Sequence, residues 1–179
     1  MAFLDEQLNR FPQPIALRSR IYKRRNMLSL EGMAAPEFST EESLTPNAPT
    51  LASLRGQPVL VFGWAQWCGD CKAQAAALGR VRAKFEPRGV RFVTLTRFYE
   101  ADPVAERAAI RKAWGETYGS LEGLPILVSS AGMERYGVSS TPTFVLINRA
   151  GKVARYLPVR LTEAELDKLL SGVSASSNR

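Results

Sequence analysis

Pro58-Val59-Leu60-Val61-Phe62-Gly63-Trp64-Ala65-Gln66-Trp67-Cys68-Gly69-Asp70-Cys71-Lys72 decides how this chain folds. Residues 58–64 are short and apolar with a proline at the start, the pattern of a buried strand. The only two cysteines among 179 residues follow, three positions apart. Downstream to Phe85 the chain is rich in Ala, Leu, Lys, Arg and Gln, with apolar Ala75, Leu78, Val81, Ala83 and Phe85; Pro87 and Gly89 then predict the end of a helix begun near Cys71. Two thiols at the first turn of a helix face unpaired amides and the positive end of the helix dipole, which stabilise a thiolate. Cys68 is therefore expected to be the more acidic and exposed sulfur, the one that attacks a partner disulfide. Cys71, one turn inward, is expected to resolve the mixed disulfide. Inert packing of two small apolar side chains is the competing reading. A zinc site is disfavoured: it needs about four ligands, and the chain has no further Cys and no His.

Val90 to Thr96 reads as a second buried strand, so strand, helix and strand make a βαβ unit with parallel strands and a right-handed crossover. A helix from about Pro103 to Tyr118 and a strand Leu124-Pro125-Ile126-Leu127-Val128 come next. Further on, Thr141-Pro142-Thr143 leads into the apolar run Phe144-Val145-Leu146-Ile147. The turn Asn148-Arg149-Ala150-Gly151-Lys152 and a strand from Val153 to Tyr156 complete a hairpin. Thr162 with Glu165 forms a capping box ahead of a terminal helix, Glu163 to Leu170.

These pieces in this order resemble the thioredoxin superfamily and, within it, the TlpA-like thiol-disulfide oxidoreductases. The likeness runs from Leu54-Arg55-Gly56-Gln57-Pro58 through the cysteine motif and Thr141-Pro142-Thr143 to Ile147-Asn148-Arg149-Ala150-Gly151-Lys152, and spans roughly residues 32–171. It implies an α/β fold: three thioredoxin-like layers, a central mixed sheet flanked by helices, with residues 1–31 as an N-terminal extension, a βα insertion around residues 103–128, and a flexible tail at 172–179. The resemblance further implies that Pro142 is cis and lies against the cysteine pair. The backbone of Thr141 would then pair with a substrate strand. Trp67 would line the approach as an apolar landing, with Gly69 and Asp70 beside it. Trp64 reads as core, and Trp114 as packing on its helix.

Departures from the family pattern carry their own expectations. Thioredoxins have a buried acid six positions before the first cysteine; here that position is Phe62. Proton transfer to Cys71 must then use water or another carboxylate, with Glu100 as a family-guided candidate and a solvated loop residue as its equal alternative. Asp70 stands where thioredoxin has proline. Its carboxylate favours the helix dipole but repels a neighbouring thiolate, disfavours the reduced form and lowers the reduction potential, which argues for a reductant unless Lys72, Arg80 or another cation offsets it. No proline follows the second cysteine, so an unkinked helix is expected.

The chain is 45% apolar, enough for one sizeable core, and has no apolar run long enough to cross a membrane. Net charge is +7, concentrated in Arg18-Ser19-Arg20-Ile21-Tyr22-Lys23-Arg24-Arg25. That run reads as a solvated basic segment, with no nucleic-acid signature beside it. Residues 1–30, interrupted by Pro12 and Pro14, are expected to pack as a short helix or strand, and Ser39 to Thr50 as a polar loop. The first thirty residues lack the continuous apolar core of a secretory leader, which leaves the cytoplasm open. The resemblance instead favours the bacterial cell envelope, periplasmic or exported, and a start at Met1-Ala2 fits a form trimmed of its leader.

The expected activity is disulfide reduction in partner proteins by dithiol-disulfide exchange, with no metal or organic cofactor, an upstream protein reductant, no nucleic acid and a monomeric state. Four alternatives stand beside it. A thiol peroxidase needs a Pro-x-x-x-Thr-x-x-Cys arrangement that residues 61–68 lack. A copper-delivery protein needs a distant His. A binding module with a vestigial dithiol, or an oxidant that installs disulfides, remains open.

Overall fold

The computed structural model describes residues 1–11, 15–46 and 48–174 of the chain. Pro12, Pro14 and residues 175–179 of the expected tail lie outside the described residues. In chain order the elements are α1 (Ala2–Arg10), α2 (Ile15–Ser29), β1 (Glu42–Ser43), β2 (Val59–Gly63), α3 (Gly69–Phe85), β3 (Arg91–Thr96), α4 (Pro103–Thr117), β4 (Ile126–Val128), α5 (Ser130–Arg135), β5 (Thr143–Ile147), β6 (Val153–Leu157) and α6 (Glu163–Ser174).

The six strands form one mixed sheet in the order β1-β4-β3-β2-β5-β6. Parallel pairing of β2 with β3 and of β3 with β4 follows from the helical crossovers between them, while β5 runs antiparallel to β2 and joins β6 in the expected hairpin. Alternation along the strands sorts the core into two layers. Leu60, Phe62, Phe92, Phe144 and Leu146 pack with α3, α4 and α6 on one face. Val59, Val61, Val93, Val145 and Ile147 pack on the other, with Met133, Tyr136 and Leu30. The α/β architecture with a central mixed sheet and flanking helices is the one expected from the sequence.

Helix α3 runs unbroken for 17 residues, as the absence of proline after Cys71 predicts. Asp102 caps α4 by accepting from the Val104 and Ala105 amides. Thr162 and Glu165 close the predicted capping box: the Thr162 amide donates to Glu165 and the Glu165 amide to the Thr162 hydroxyl. The Thr162 amide, together with the Thr162 hydroxyl, donates to the Glu165 carboxylate and holds it below its ordinary range. Helix α6 continues to Ser174, past the Leu170 expected from the sequence.

Three local expectations need correction. The polar stretch 39–50 contains an edge strand, because Glu42 and Ser43 pair with Val128 and Leu127. Arg107 holds the Glu42 carboxylate through two hydrogen bonds of 2.6 and 2.8 Å and keeps it below its usual range. The N-terminal extension is two helices, of 9 and 15 residues, instead of one short element. Nor is the basic run merely solvated: Arg18 bonds Glu134 and the carbonyls of Leu8 and Phe11, Lys23 bonds Ser140, and Arg25 pairs with Asp5. Arginine forks and a lysine tip reach across the surface while their stems cover apolar area, so a charge run read as solvent-facing ties helices together.

Candidate redox site

Strand β2 ends at Gly63 opposite Thr143, the first residue of β5, so the carboxyl end of one strand and the amino end of its antiparallel neighbour meet at one rim of the sheet. The loop after β2 delivers Trp67 and Cys68 there, and the segment before β5 delivers Thr141 and Pro142. The Thr141-Pro142 peptide is cis. Cys68 Sγ lies 3.5 Å from the Thr141 carbonyl oxygen although 73 positions separate the two residues.

Cys68 is the N-cap of α3, and its sulfur accepts the Cys71 amide at 3.1 Å. Cys68 and Cys71 are joined as a disulfide with Cα atoms 5.3 Å apart, so the structure holds the oxidised state. Cys68 retains 5% exposure, whereas Cys71 has none. Both sulfurs are thus buried in the oxidised state, and the exposure expected of Cys68 is reduced to this small difference from Cys71. The amide that meets Cys68 here is the group that would stabilise its thiolate after reduction.

Trp67 is 60% exposed beside the sulfur and meets Tyr99 edge-to-face, with ring centroids 5.2 Å apart. The Arg97 guanidinium lies 4.8 Å from the Tyr99 ring centre. Burial pushes the Tyr99 phenol up to about 12, against the lowering effect of Arg97. The surface beside Cys68 thus carries two aromatic rings in contact, with the Arg97 guanidinium over the Tyr99 ring. Gly69 and Asp70 are exposed on the first turn of α3. Asp70 is faced by Arg160, whose Nη1 is 3.8 Å from the carboxylate. Arg80, one of the cations expected to offset Asp70, is instead engaged by Glu163 at 2.7 Å.

Behind the disulfide, Phe62 is buried and stacks on Phe144 with centroids 5.2 Å apart, so an aromatic pair fills the place where thioredoxins keep an acid. Glu100 is exposed on its loop, the solvated alternative of the two expected. Trp64 is fully buried against Trp114 and Tyr118, as expected for core.

Two residues of the site region escaped the sequence reading. Gln74 is buried on the inward face of α3, where its oxygen accepts the Leu161 amide at 2.8 Å. Its signal was a polar residue within the buried series Cys71, Ala75, Leu78. Glu106, 2% exposed on α4, accepts from the Gln66 side chain and from the amides of Tyr99 at 3.1 Å and Glu100 at 2.7 Å. One carboxylate thereby fastens the insertion helix to the loop that carries Trp67 and Cys68. Its spacing of 40 from Gln66 gave the sequence no signal. Replacing Glu106 with Ala leaves those donors without their acceptor, and is expected to cost about 2–4 kcal/mol of unfolding free energy and to alter Trp67 fluorescence. Chemical denaturation with a fluorescence readout checks both.

Among the described residues, no group of three His, Cys, Asp or Glu side chains is placed to hold a metal ion, and no helix is long and apolar enough to cross a membrane.

The Redoxin family model matches residues 30–170. The chain is 25% identical to the thioredoxin-like protein YneN of Bacillus subtilis over 150 residues, covering 83% of this chain and 84% of that protein. It is 27% identical to the thiol-disulfide oxidoreductase ResA of the same organism over 134 residues, covering 75% and 70%. In fold it is similar to a thiol-disulfide isomerase from Corynebacterium glutamicum, with a TM-score of 0.68 at 18% identity, over 80% of this chain and 98% of that one. A two-cysteine disulfide at a helix start, carried on this sheet and within this family match, makes one conclusion: the chain belongs to the Redoxin family and is a TlpA-like thiol-disulfide oxidoreductase of the thioredoxin superfamily.

Proposed function

We propose that the protein is a reductant of disulfides in partner proteins, with Cys68 as the attacking and Cys71 as the resolving sulfur. The observation that supports this assignment best is the asymmetry of the pair. Cys68 caps the helix and faces the Thr141 carbonyl at the rim, while Cys71 is enclosed beneath it.

In the reduced protein the Cys68 thiolate attacks one sulfur of the partner disulfide. A Cys68-to-partner bond forms as the partner bond breaks, and the released thiolate takes a proton from solvent. Cys71, deprotonated through water in the absence of an acid at Phe62, then attacks Cys68. The Cys68-Cys71 disulfide forms, and the partner leaves with both of its thiols and the two electrons. The mixed disulfide is reached by a strand laid along the Thr141 backbone beside Pro142, with Trp67, Gly69 and Asp70 lining the approach. The electrons reside in the dithiol itself, so the reaction asks for no metal or organic cofactor, only an upstream protein reductant to restore the thiols.

The direction of transfer rests on Asp70, whose charge at the helix start opposes a thiolate on Cys68 and so favours the disulfide form. Arg160 reduces that opposition without removing it, because both side chains are more than half exposed. The potential of the pair in thiol buffers is expected at or below about −230 mV. Asp70→Asn should raise it and Arg160→Ala lower it, each by on the order of ten millivolts, the scale at which 30 mV corresponds to about 1.4 kcal/mol. A wild-type potential near about −120 mV, the value of a strong oxidant, would reverse the direction proposed.

A further inference from the structure

Helices α1 and α2 precede residue 30, where the match to the family begins. Helix α1 packs on α2, and α2 packs on the segment that leads into Pro142. Arg18 bonds Glu134 at 2.7 Å, and the buried Asn26 side chain donates to the Arg135 carbonyl at 3.0 Å. At Gly137 the contact is backbone to backbone: a β-carbon there would lie 2.6 Å from Lys23 Cα and 2.8 Å from the Tyr22 carbonyl carbon. Gly137 also has φ +63°, so both its conformation and its neighbour exclude a side chain. One turn of chain later, the half-buried Lys23 places Nζ 2.7 Å from the Ser140 hydroxyl. The Ser140 carbonyl accepts from Thr143 Oγ1 at 2.8 Å. Ser140 is therefore gripped from two sides, by α2 and by the start of β5, immediately before Thr141.

We infer that α2 is a brace for the substrate-binding rim and that Lys23 is a positioning residue for the Thr141 backbone, setting how well an incoming peptide strand is held. The inference rests on the reading that Thr141 pairs with the substrate backbone. A loop with one anchored and one loose end samples many backbone states, and each must be given up when a strand binds. Anchoring Ser140 removes that cost before the substrate arrives. The effect belongs to strand capture and not to sulfur chemistry, so a disulfide too small to pair with backbone should not sense it.

The test follows oxidation of the pre-reduced full chain by tryptophan fluorescence. One oxidant is a disulfide-bonded peptide, the other a neutral dithiodipyridine. Lys23→Ala is expected to raise the half-saturating peptide concentration about tenfold, the scale of one hydrogen bond to a charged group, with the limiting rate and the dithiodipyridine rate held. Ser140→Ala should give the same change, and the double variant little more, since the two act through one contact. Lys23→Arg should recover part of the loss. An unchanged peptide response in Lys23→Ala, or an equal loss on both oxidants, overturns the brace. A peptide N-methylated at the amides flanking its cysteines distinguishes the deeper failure. If wild-type protein handles it as well as the parent peptide, the strand reading falls and the brace with it. If wild-type protein discriminates between them while Lys23→Ala matches wild type, only the brace falls.

Discussion

Cys68→Ser is expected to bring insulin-disulfide reduction down to the rate of the thiol buffer alone, because the attacking sulfur is the one group in the chain that can form the first bond. Serine has the shape of cysteine but not its acidity, and neither Cys71, fully enclosed, nor any other thiol can substitute. Cys71→Ser should behave differently. Attack persists while resolution is lost, so partner proteins accumulate as covalent adducts through Cys68, visible on non-reducing gels and dispersed by dithiothreitol. Adducts in the Cys71→Ser variant and none in Cys68→Ser would establish the order of the two sulfurs. Equal, negligible turnover in wild type and Cys68→Ser would mean a binding module with a silent dithiol.

Trp64→Ala is expected to lower stability by about 3–5 kcal/mol, the range for removing a fully buried aromatic. Trp64 sits at the end of the strand that delivers Cys68, with its ring 4.7 Å from Tyr118 and 5.1 Å from Trp114, centre to centre. Its indole nitrogen has no protein partner among the described residues, so the loss is one of packing alone. For a domain of this size each kcal/mol moves the midpoint by about 2–4 °C, which places the expected fall in Tm at about 6–20 °C. Thermal unfolding by circular dichroism measures it. A fall below about 3 °C would show that α4 closes over the gap. Trp64→Phe, which keeps an aromatic against both neighbours, should cost clearly less.

What could be read in the sequence was what is written locally. Residues 58–64, 90–96 and 143–147 are apolar runs bounded by proline and glycine, and each became a strand within a residue or two of its expected limits. The cysteine spacing announced a helix start, and Thr162 with Glu165 announced another. The meeting of Cys68 with Thr141 was legible only through family resemblance, since nothing local links positions 73 apart. Long-range polar contacts had no such aid. Glu106 reads as one more acid on an amphipathic helix until the fold brings Gln66 to it. Lys23 and Arg18 read as a solvent-facing charge run until α2 is laid against α5. Glu42-Ser43 is too short to carry a strand periodicity; its partners, β4 for the backbone and Arg107 for the Glu42 carboxylate, come from far along the chain.

The strand at the far side of the hairpin bears on how this molecule behaves among copies of itself. On β6 the Val153 amide donates to the Met33 carbonyl and the Tyr156 amide to the Glu31 carboxylate, while Gly32 and Ala35 donate back to Val153 and Gly151. The opposite margin, β1, is two residues long. Among the described residues, neither margin offers the open ladder of amides that templates fibril growth or domain exchange. At high concentration, and during cycles that expose reactive sulfur, the protein is thereby guarded against stacking edge to edge. The stretch 31–35 serves in that respect as a selvedge, and cutting the hydrogen bond from Tyr156 with Glu31→Ala would be the way to fray it.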